Sequence, residues 1–143
     1  MKSIAAGRTS LADRLRRAFR AAPPVQLAVL FGSAASDRMH AASDVDIAVF
    51  APGWTPREFS DGHLLRSLST VARTDVDLVD LARASTLLKW QVATTGLPII
   101  ETTAGAFARF RAAAAAEYID FAPALAHHGE RFRRRLIELG RRR

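Results

Sequence analysis

The sequence contains no cysteine, which excludes a disulfide framework and any metal site built on thiolates. It also lacks an apolar stretch long enough to span a membrane, and its start carries too short an apolar stretch for a signal peptide. No linker is long enough to separate domains. Because 49% of the residues are hydrophobic, a packed core is expected. We therefore expect a single soluble domain over residues 1–143, in the cytoplasm and without membrane contact.

Positive charge is concentrated at the two ends of the chain. Residues 1–23 and residues 129–143 each carry a net charge of +5 around an acidic middle, and the total is +7. Basic ends can bind nucleic acid, so a basic RNA-binding protein is one hypothesis, and an acidic protein partner is another. The interpretation that we favour is solvated helix faces. Nucleic acid is therefore not an expected partner.

Helix and strand patterns alternate along the chain. Apolar residues recur at helical spacing after Thr9 and Ser10, either of which can cap the first helix. Three segments are expected: an N-terminal helix over 9–22, a central core over 24–101, and C-terminal helices over 103–138 that divide at Pro123. Within the core we expect strands near 25–31, 44–50, 75–81 and 97–101, and helices over 56–72 and 85–96.

Two of these strands carry carboxylates among their apolar residues. Residues two apart in a strand point to the same face, so Asp44 and Asp46 share a face while the intervening apolar residues turn into a core. The later strand repeats the pattern with Asp75 and Asp77. If both strands belong to one sheet that helices pack on its apolar side, three or four carboxylates crowd together. Like charges this close cannot all stay ionised without a cation.

The ligand chemistry of this face indicates a hard divalent cation. Oxygen ligands without cysteine or histidine suit Mg²⁺ or Mn²⁺. Three carboxylates can hold two such ions about 3.5–4 Å apart, which is an arrangement used for in-line phosphoryl and nucleotidyl transfer.

A Gly-Ser pair follows the first strand of the core. Gly32 lets the backbone turn close to a ligand, and the hydroxyl of Ser33 with neighbouring N–H groups forms a concave anion site. A triphosphate docked there would place its phosphates beside cations held by Asp44 and Asp46. Taken alone, a Gly-Ser is a turn and an Asp-x-Asp is a solvated loop. Their conjunction, with a second acidic strand following, favours the functional interpretation.

The stretch GSAASDRMHAASDVD resembles the signature of the DNA polymerase β-like nucleotidyltransferases, in which a Gly-Ser and an Asp-x-Asp are separated by ten residues. The stretch DVDLVDLARASTLLKWQVATTGLPIIE is similar to the segment that follows in the minimal, or MNT-type, nucleotidyltransferases. The resemblance covers roughly residues 24–121. It implies an α/β polymerase β-like nucleotidyltransferase fold, with a mixed β-sheet flanked by helices on one side. It also implies two Mg²⁺ ions and ATP as the donor.

The same resemblance implies roles for individual residues. Gly32 and Ser33 would hold the phosphates. Asp44 and Asp46 would bind both metal ions. Asp77 would be the third carboxylate, on the ion that lowers the pKa of the attacking hydroxyl.

Other residues near these motifs have expected roles as well. Family members often have Arg and Gly shortly after the Gly-Ser, where this chain has AASDR, and Arg38 is the candidate substitute. Asp75 is expected to be a strand-edge charge and Asp80 a residue of the other sheet face. Trp90 and Tyr118 are expected to be core or interface aromatics.

The length of the chain beyond the core narrows the expected function. Only about 40 residues follow it, too few for the nucleic-acid-binding or acceptor domains of larger family members. Stand-alone MNT proteins of this size resemble antitoxins that transfer AMP from ATP to a tyrosine of a HEPN-family ribonuclease toxin. The resemblance thus implies a protein adenylyltransferase in a hetero-oligomer with its toxin, docked on the helices at 103–138. The alternative is a non-catalytic antitoxin that blocks its partner sterically.

Overall fold

Helices and strands alternate along the chain in the computed structural model, which describes residues 3–35 and 44–141. The elements in chain order are α1 Ser3–Phe19, β1 Leu27–Phe31, a 3-10 turn Gly32–Ala35, β2 Val45–Phe50, α2 Pro56–Phe59, α3 Gly62–Ala72, β3 Val76–Asp80, α4 Thr86–Thr95, β4 Leu97–Glu101 and α5 Ala106–Arg141. The predicted strands of the core are all present. Arg38 lies outside the described residues.

The four strands form one mixed sheet in the order β3-β2-β1-β4. β1 runs antiparallel to both β2 and β4, whereas β2 and β3 are parallel. The predicted mixed sheet flanked by helices is therefore confirmed. Because β2 and β3 are direct neighbours, the two acidic strands lie side by side.

Both faces of the sheet carry an apolar core. α1 and α3 contribute Leu15 and Leu68 to one face, where both pack with Ile47 out of contact with solvent. α4 and α5 cover the other face, where Val29 and Val92 are fully buried. The expectation of helices on one side only is wrong, because the acidic face becomes apolar beyond its carboxylates and has to be covered as well.

Several helix boundaries differ from those predicted. α1 begins at Ser3 instead of residue 9, because the alanines before Thr9 are strong helix formers that continue the helix. The single helix predicted over 56–72 is broken into α2 and α3. The carboxylate of Asp61 accepts a hydrogen bond from the backbone N–H of His63 at 2.9 Å and so starts a new helix.

The C-terminal part is one helix of 36 residues, so the predicted division at Pro123 is wrong. Pro123 has no N–H to donate to the carbonyl of Ile119. Both residues are exposed, where water can bond to that carbonyl instead. Although α5 is long, no helix within residues 3–35 and 44–141 is apolar enough over sufficient length to cross a membrane.

Candidate active site

Two aspartates meet in one row across three strands. Asp46 on β2 lies opposite Phe31 on β1 and opposite Asp77 on β3. Neighbouring strands are about 4.8 Å apart, so the two aspartates stand side by side on the same face. Asp44 lies two residues earlier, immediately before β2.

The same face becomes apolar one row further along the strands. The next row contains Val29, Ala48 and Val79, and the row after it contains Leu27 and Phe50. α4 and α5 pack over these rows. The carboxylates therefore lie at the end of a face whose remainder is core.

The turn after β1 packs against the carboxylate of Asp46. Gly32 has φ +70°, in the left-handed region that favours glycine. A Cβ built on Gly32 would lie 2.7 Å from Asp46 Oδ2, so the carboxylate or the turn would have to shift to admit a side chain. Glycine therefore suits both the backbone conformation of this turn and its close approach to the carboxylate. Ser33 follows in the 3-10 turn; its side chain is outside the described part of the structure.

Burial and like charge raise the pKa of Asp46 above its usual value. The larger cause is partial burial, and the carboxylates of Asp77 and Asp44 add to it. Both neighbours are thus close enough for their charge to act on Asp46. A bound cation would offset that effect, because it favours the ionised form of Asp46.

The donor chemistry of the three aspartates fits a divalent cation, although they do not form a ready-made site. Within residues 3–35 and 44–141, no group of three Asp, Glu, His or Cys side chains is already close enough to hold an ion. Asp44 and Asp77 are exposed, and exposed side chains change rotamer within nanoseconds. Both can turn toward Asp46 once a cation offsets their repulsion. All of the ligands are oxygens, as Mg²⁺ prefers.

The remaining acidic residues of this region have structural surroundings. Asp80 accepts a hydrogen bond from the backbone N–H of Ala82 at 3.0 Å, and its carboxylate lies 3.8 Å from the Arg83 guanidinium. The backbone carbonyl of Asp75 accepts a hydrogen bond from the N–H of Val45 at 2.9 Å. Neither residue belongs to the row of Asp46.

Contacts between α4 and α5 were not predictable from local patterns. The Trp90 ring stacks on Tyr118, with centroids 4.3 Å apart and an interplanar angle of 8°. Beside them, Lys89 Nζ lies 3.2 Å from a carboxylate oxygen of Glu117. The sequence predicts Trp90 and Tyr118 as core or interface aromatics, but nothing local links residues that lie in separate helices.

The fold is that of a nucleotidyltransferase. Residues 13–104 match the family described as Polymerase beta, Nucleotidyltransferase, and the chain belongs to that family. It is similar to Protein adenylyltransferase MntA of Shewanella oneidensis, with 45% identity over 74 residues, which make up 52% of each chain. The match therefore spans about half the length of that curated relative.

Solved structures resemble the chain over most of its length. A chain of the crystal structure of a toxin–antitoxin with AMP-PNP is 29% identical with a TM-score of 0.71, over 87% of this chain and 98% of that one. A chain of a tri-AMPylated Shewanella oneidensis HEPN toxin in complex with MNT antitoxin is 27% identical with a TM-score of 0.67. That likeness covers 90% of this chain and 98% of the other.

Proposed function

We propose that this chain is a protein adenylyltransferase that moves AMP from ATP to a tyrosine hydroxyl of a HEPN-family toxin and thereby neutralises it. The observation that carries the proposal is the row in which Asp46 lies between Asp77 and the turn at Gly32. The similarity to MntA and to chains of toxin–antitoxin complexes supports the choice of acceptor. Residues 1–143 would act as one nucleotidyltransferase domain, in a hetero-oligomer with the toxin in the cytoplasm.

Each site residue has a role in this proposal. Asp44, Asp46 and Asp77 would bind two Mg²⁺ ions, and Gly32 and Ser33 would hold the triphosphate of ATP. When bound, the ions neutralise phosphate charge and lower the pKa of the attacking hydroxyl. Asp46 is half-buried at the centre of the site, whereas exposed Asp77 lies where a protein acceptor can arrive.

The order of the strands supports an in-line reaction. Asp77 lies on the β3 side of Asp46, and the Gly32 turn lies on its β1 side. In the transfer, the tyrosine oxygen forms a bond to the α-phosphorus while the bond from that phosphorus to the bridging oxygen breaks. Pyrophosphate leaves and the hydroxyl proton passes to water. An acceptor arriving at Asp77 and a triphosphate held at Gly32 would place the attacking and leaving oxygens on opposite sides.

A steric antitoxin is the second hypothesis, and the row of carboxylates separates it from the first. A protein that inhibits only by binding has no use for repelling carboxylates or for a glycine whose Cβ position is taken by one of them. The repulsion costs stability. We therefore favour the catalytic hypothesis.

Replacing Asp77 by Ala tests the proposed roles, with Asp75→Ala as the matched control. Both aspartates are exposed and lie two residues apart, but only Asp77 lies in the row of Asp46. Asp77→Ala should lower the rate of AMP transfer to the toxin by on the order of 10³-fold, since one ligand of the reacting ions is lost. ATP binding, followed by calorimetry, should persist through Asp44 and Asp46. Transfer at the wild-type rate in Asp77→Ala would contradict these roles.

A further inference from the structure

The outer surface where α4 meets α5 carries exposed apolar side chains. In the part of the chain that the structure describes, Leu87 on α4 is 44% exposed and Phe121 on α5 is 42% exposed. Two other large apolar residues are exposed away from this surface: Ile119 lies two residues from Phe121 and so on another side of α5, and Leu97 begins β4. Exposed apolar side chains that gather on one surface mark interaction sites more often than scattered ones do.

Four aromatic and aliphatic residues lie together on this surface. Leu87 and Trp90 are three residues apart on α4, and Tyr118 and Phe121 are three apart on α5, so each pair shares one helix face. The stack of Trp90 on Tyr118 joins the two pairs. We call Leu87, Trp90, Tyr118 and Phe121 the α4–α5 ridge.

The ridge is not needed to hold α4 on the sheet. The inner side of α4 packs through Leu88 and Val92, which contact the core on the acidic face. The helices are also joined by the Glu117 carboxylate, which accepts from the Thr86 hydroxyl at 2.7 Å and from Lys89 Nζ at 3.2 Å. Leu87 and Phe121 therefore expose apolar surface for which the fold itself provides no cover.

The charge of the adjoining chain determines what kind of molecule fits the ridge. α5 continues for 20 residues beyond Phe121, to Arg141, and residues 129–143 carry a net charge of +5. A second copy would bring together two chains that each carry a net charge of +7, which disfavours self-association. A partner with an apolar stripe bordered by acidic side chains complements both features.

We propose that the α4–α5 ridge is the docking site for the acceptor protein, which contacts it through an apolar stripe bordered by Asp and Glu side chains. The identity of that acceptor as a HEPN-family toxin rests on the proposed function; the docking surface and its chemistry rest on the ridge. Docking here uses residues outside the row of Asp46 and Asp77. Binding and transfer can therefore be separated by substitution.

The test replaces the exposed apolar residues of the ridge by charged ones. Leu87→Asp with Phe121→Asp should weaken binding to the co-expressed HEPN-family toxin by at least about 30-fold, the loss typical of one interface hot spot. The KM for toxin should rise while the KM for ATP stays unchanged. The control is Gly53→Asp with Thr70→Asp, which adds the same charge at exposed positions away from α4 and α5. Both variants should melt within a few degrees of wild type.

Other outcomes of this test would decide between the docking site and the proposed function. If the ridge variant binds toxin as tightly as the control, the docking site is wrong while the proposed function stands. If wild type binds toxin through the ridge but transfers no AMP, the proposed function fails and the docking site stands. Wild-type dimers or RNA complexes that the ridge substitutions dissolve, without an effect on toxin binding, would overturn the proposal.

A second measurement uses the wild-type chain and does not depend on the folding of a variant. Amide hydrogen exchange should slow at residues 87–90 and 118–121 when toxin is added, and should not change in α3. Unchanged exchange in both segments of the ridge, at toxin concentrations that saturate binding, would overturn the proposed docking site.

Discussion

Replacing Gly32 by Ala tests the link between the turn after β1 and the carboxylates. The substitution adds one methyl group, at a position where φ is +70° and where Asp46 Oδ2 lies 2.7 Å from the new Cβ. Ordinary contact at a Cβ begins at 3.4 Å. Either the turn or the Asp46 side chain must therefore move by about 0.7 Å.

We expect Gly32→Ala to lower both the stability of the fold, through the backbone, and the rate of transfer, through the site. A residue with a Cβ in the left-handed region costs about 1–2 kcal/mol, which lowers the melting temperature by roughly 3–7 °C at this chain length. Displacement of the carboxylate acts on catalysis, where misplacement by about 1 Å can cost on the order of 100-fold in rate. We expect AMP transfer to fall by at least that factor.

Thermal melts of matched variants measure the effect on stability, and their transfer rates measure the effect on catalysis. Gly53→Ala is the control, because nothing lies within 4 Å of a Cβ built there and its φ is not in the left-handed region. In an Asp46→Ala background the contact is absent, so the stability cost of Gly32→Ala should fall by roughly 0.5 kcal/mol or more. A Gly32→Ala chain as stable and active as Gly53→Ala would refute the proposed contact.

Three further predictions concern charge. Asp44→Asn with Asp46→Asn should abolish AMP transfer, yet without metal its melting temperature should equal or exceed that of wild type, since the repulsion is gone; a clearly lower value would mean that these aspartates are structural. Because the pKa of Asp46 is raised in the folded chain, its ionised form opposes folding, and this penalty disappears as the pH falls through the raised pKa toward the usual 3.8. The stability gain of Asp46→Asn should therefore be present at neutral pH and vanish near pH 3; a gain independent of pH would contradict this origin. Deleting residues 140–143 should leave AMP transfer at saturating toxin nearly unchanged, and RNA affinity should be micromolar at best and collapse with salt; tight, salt-resistant RNA binding would instead support an RNA-binding protein.

The alternation of apolar and acidic residues was sufficient to predict which side chains share a face. In β2 and β3 it places Asp46 and Asp77 opposite the core formed by Ile47 and its neighbours, as the structure has them. The sequence could not show that Asp46 and Asp77 lie directly opposite each other. The register of two parallel strands is fixed by long-range packing rather than by the pattern within either strand. The contact of Gly32 with Asp46 depends on that register as well.

Helix packing accounts for most of what the sequence did not predict. The second core needs Val29 and Val92 to meet, and their contact depends on how α4 crosses the sheet after a turn. Pro123 normally indicates a helix end, but an exposed position allows the helix to continue through it. The stack of Trp90 on Tyr118 likewise appears only once α4 and α5 are placed together.

The intact mass of the toxin, measured beside its activity, tests the central claim most directly. Wild-type chain, toxin, ATP and Mg²⁺ are incubated together, and the toxin is then separated, weighed and assayed as a ribonuclease. We expect a mass increase in units of AMP on a tyrosine, release of pyrophosphate, and a toxin that stays inactive after the chain is removed. A toxin of unchanged mass that regains full activity on separation would mean that the chain inhibits by binding alone.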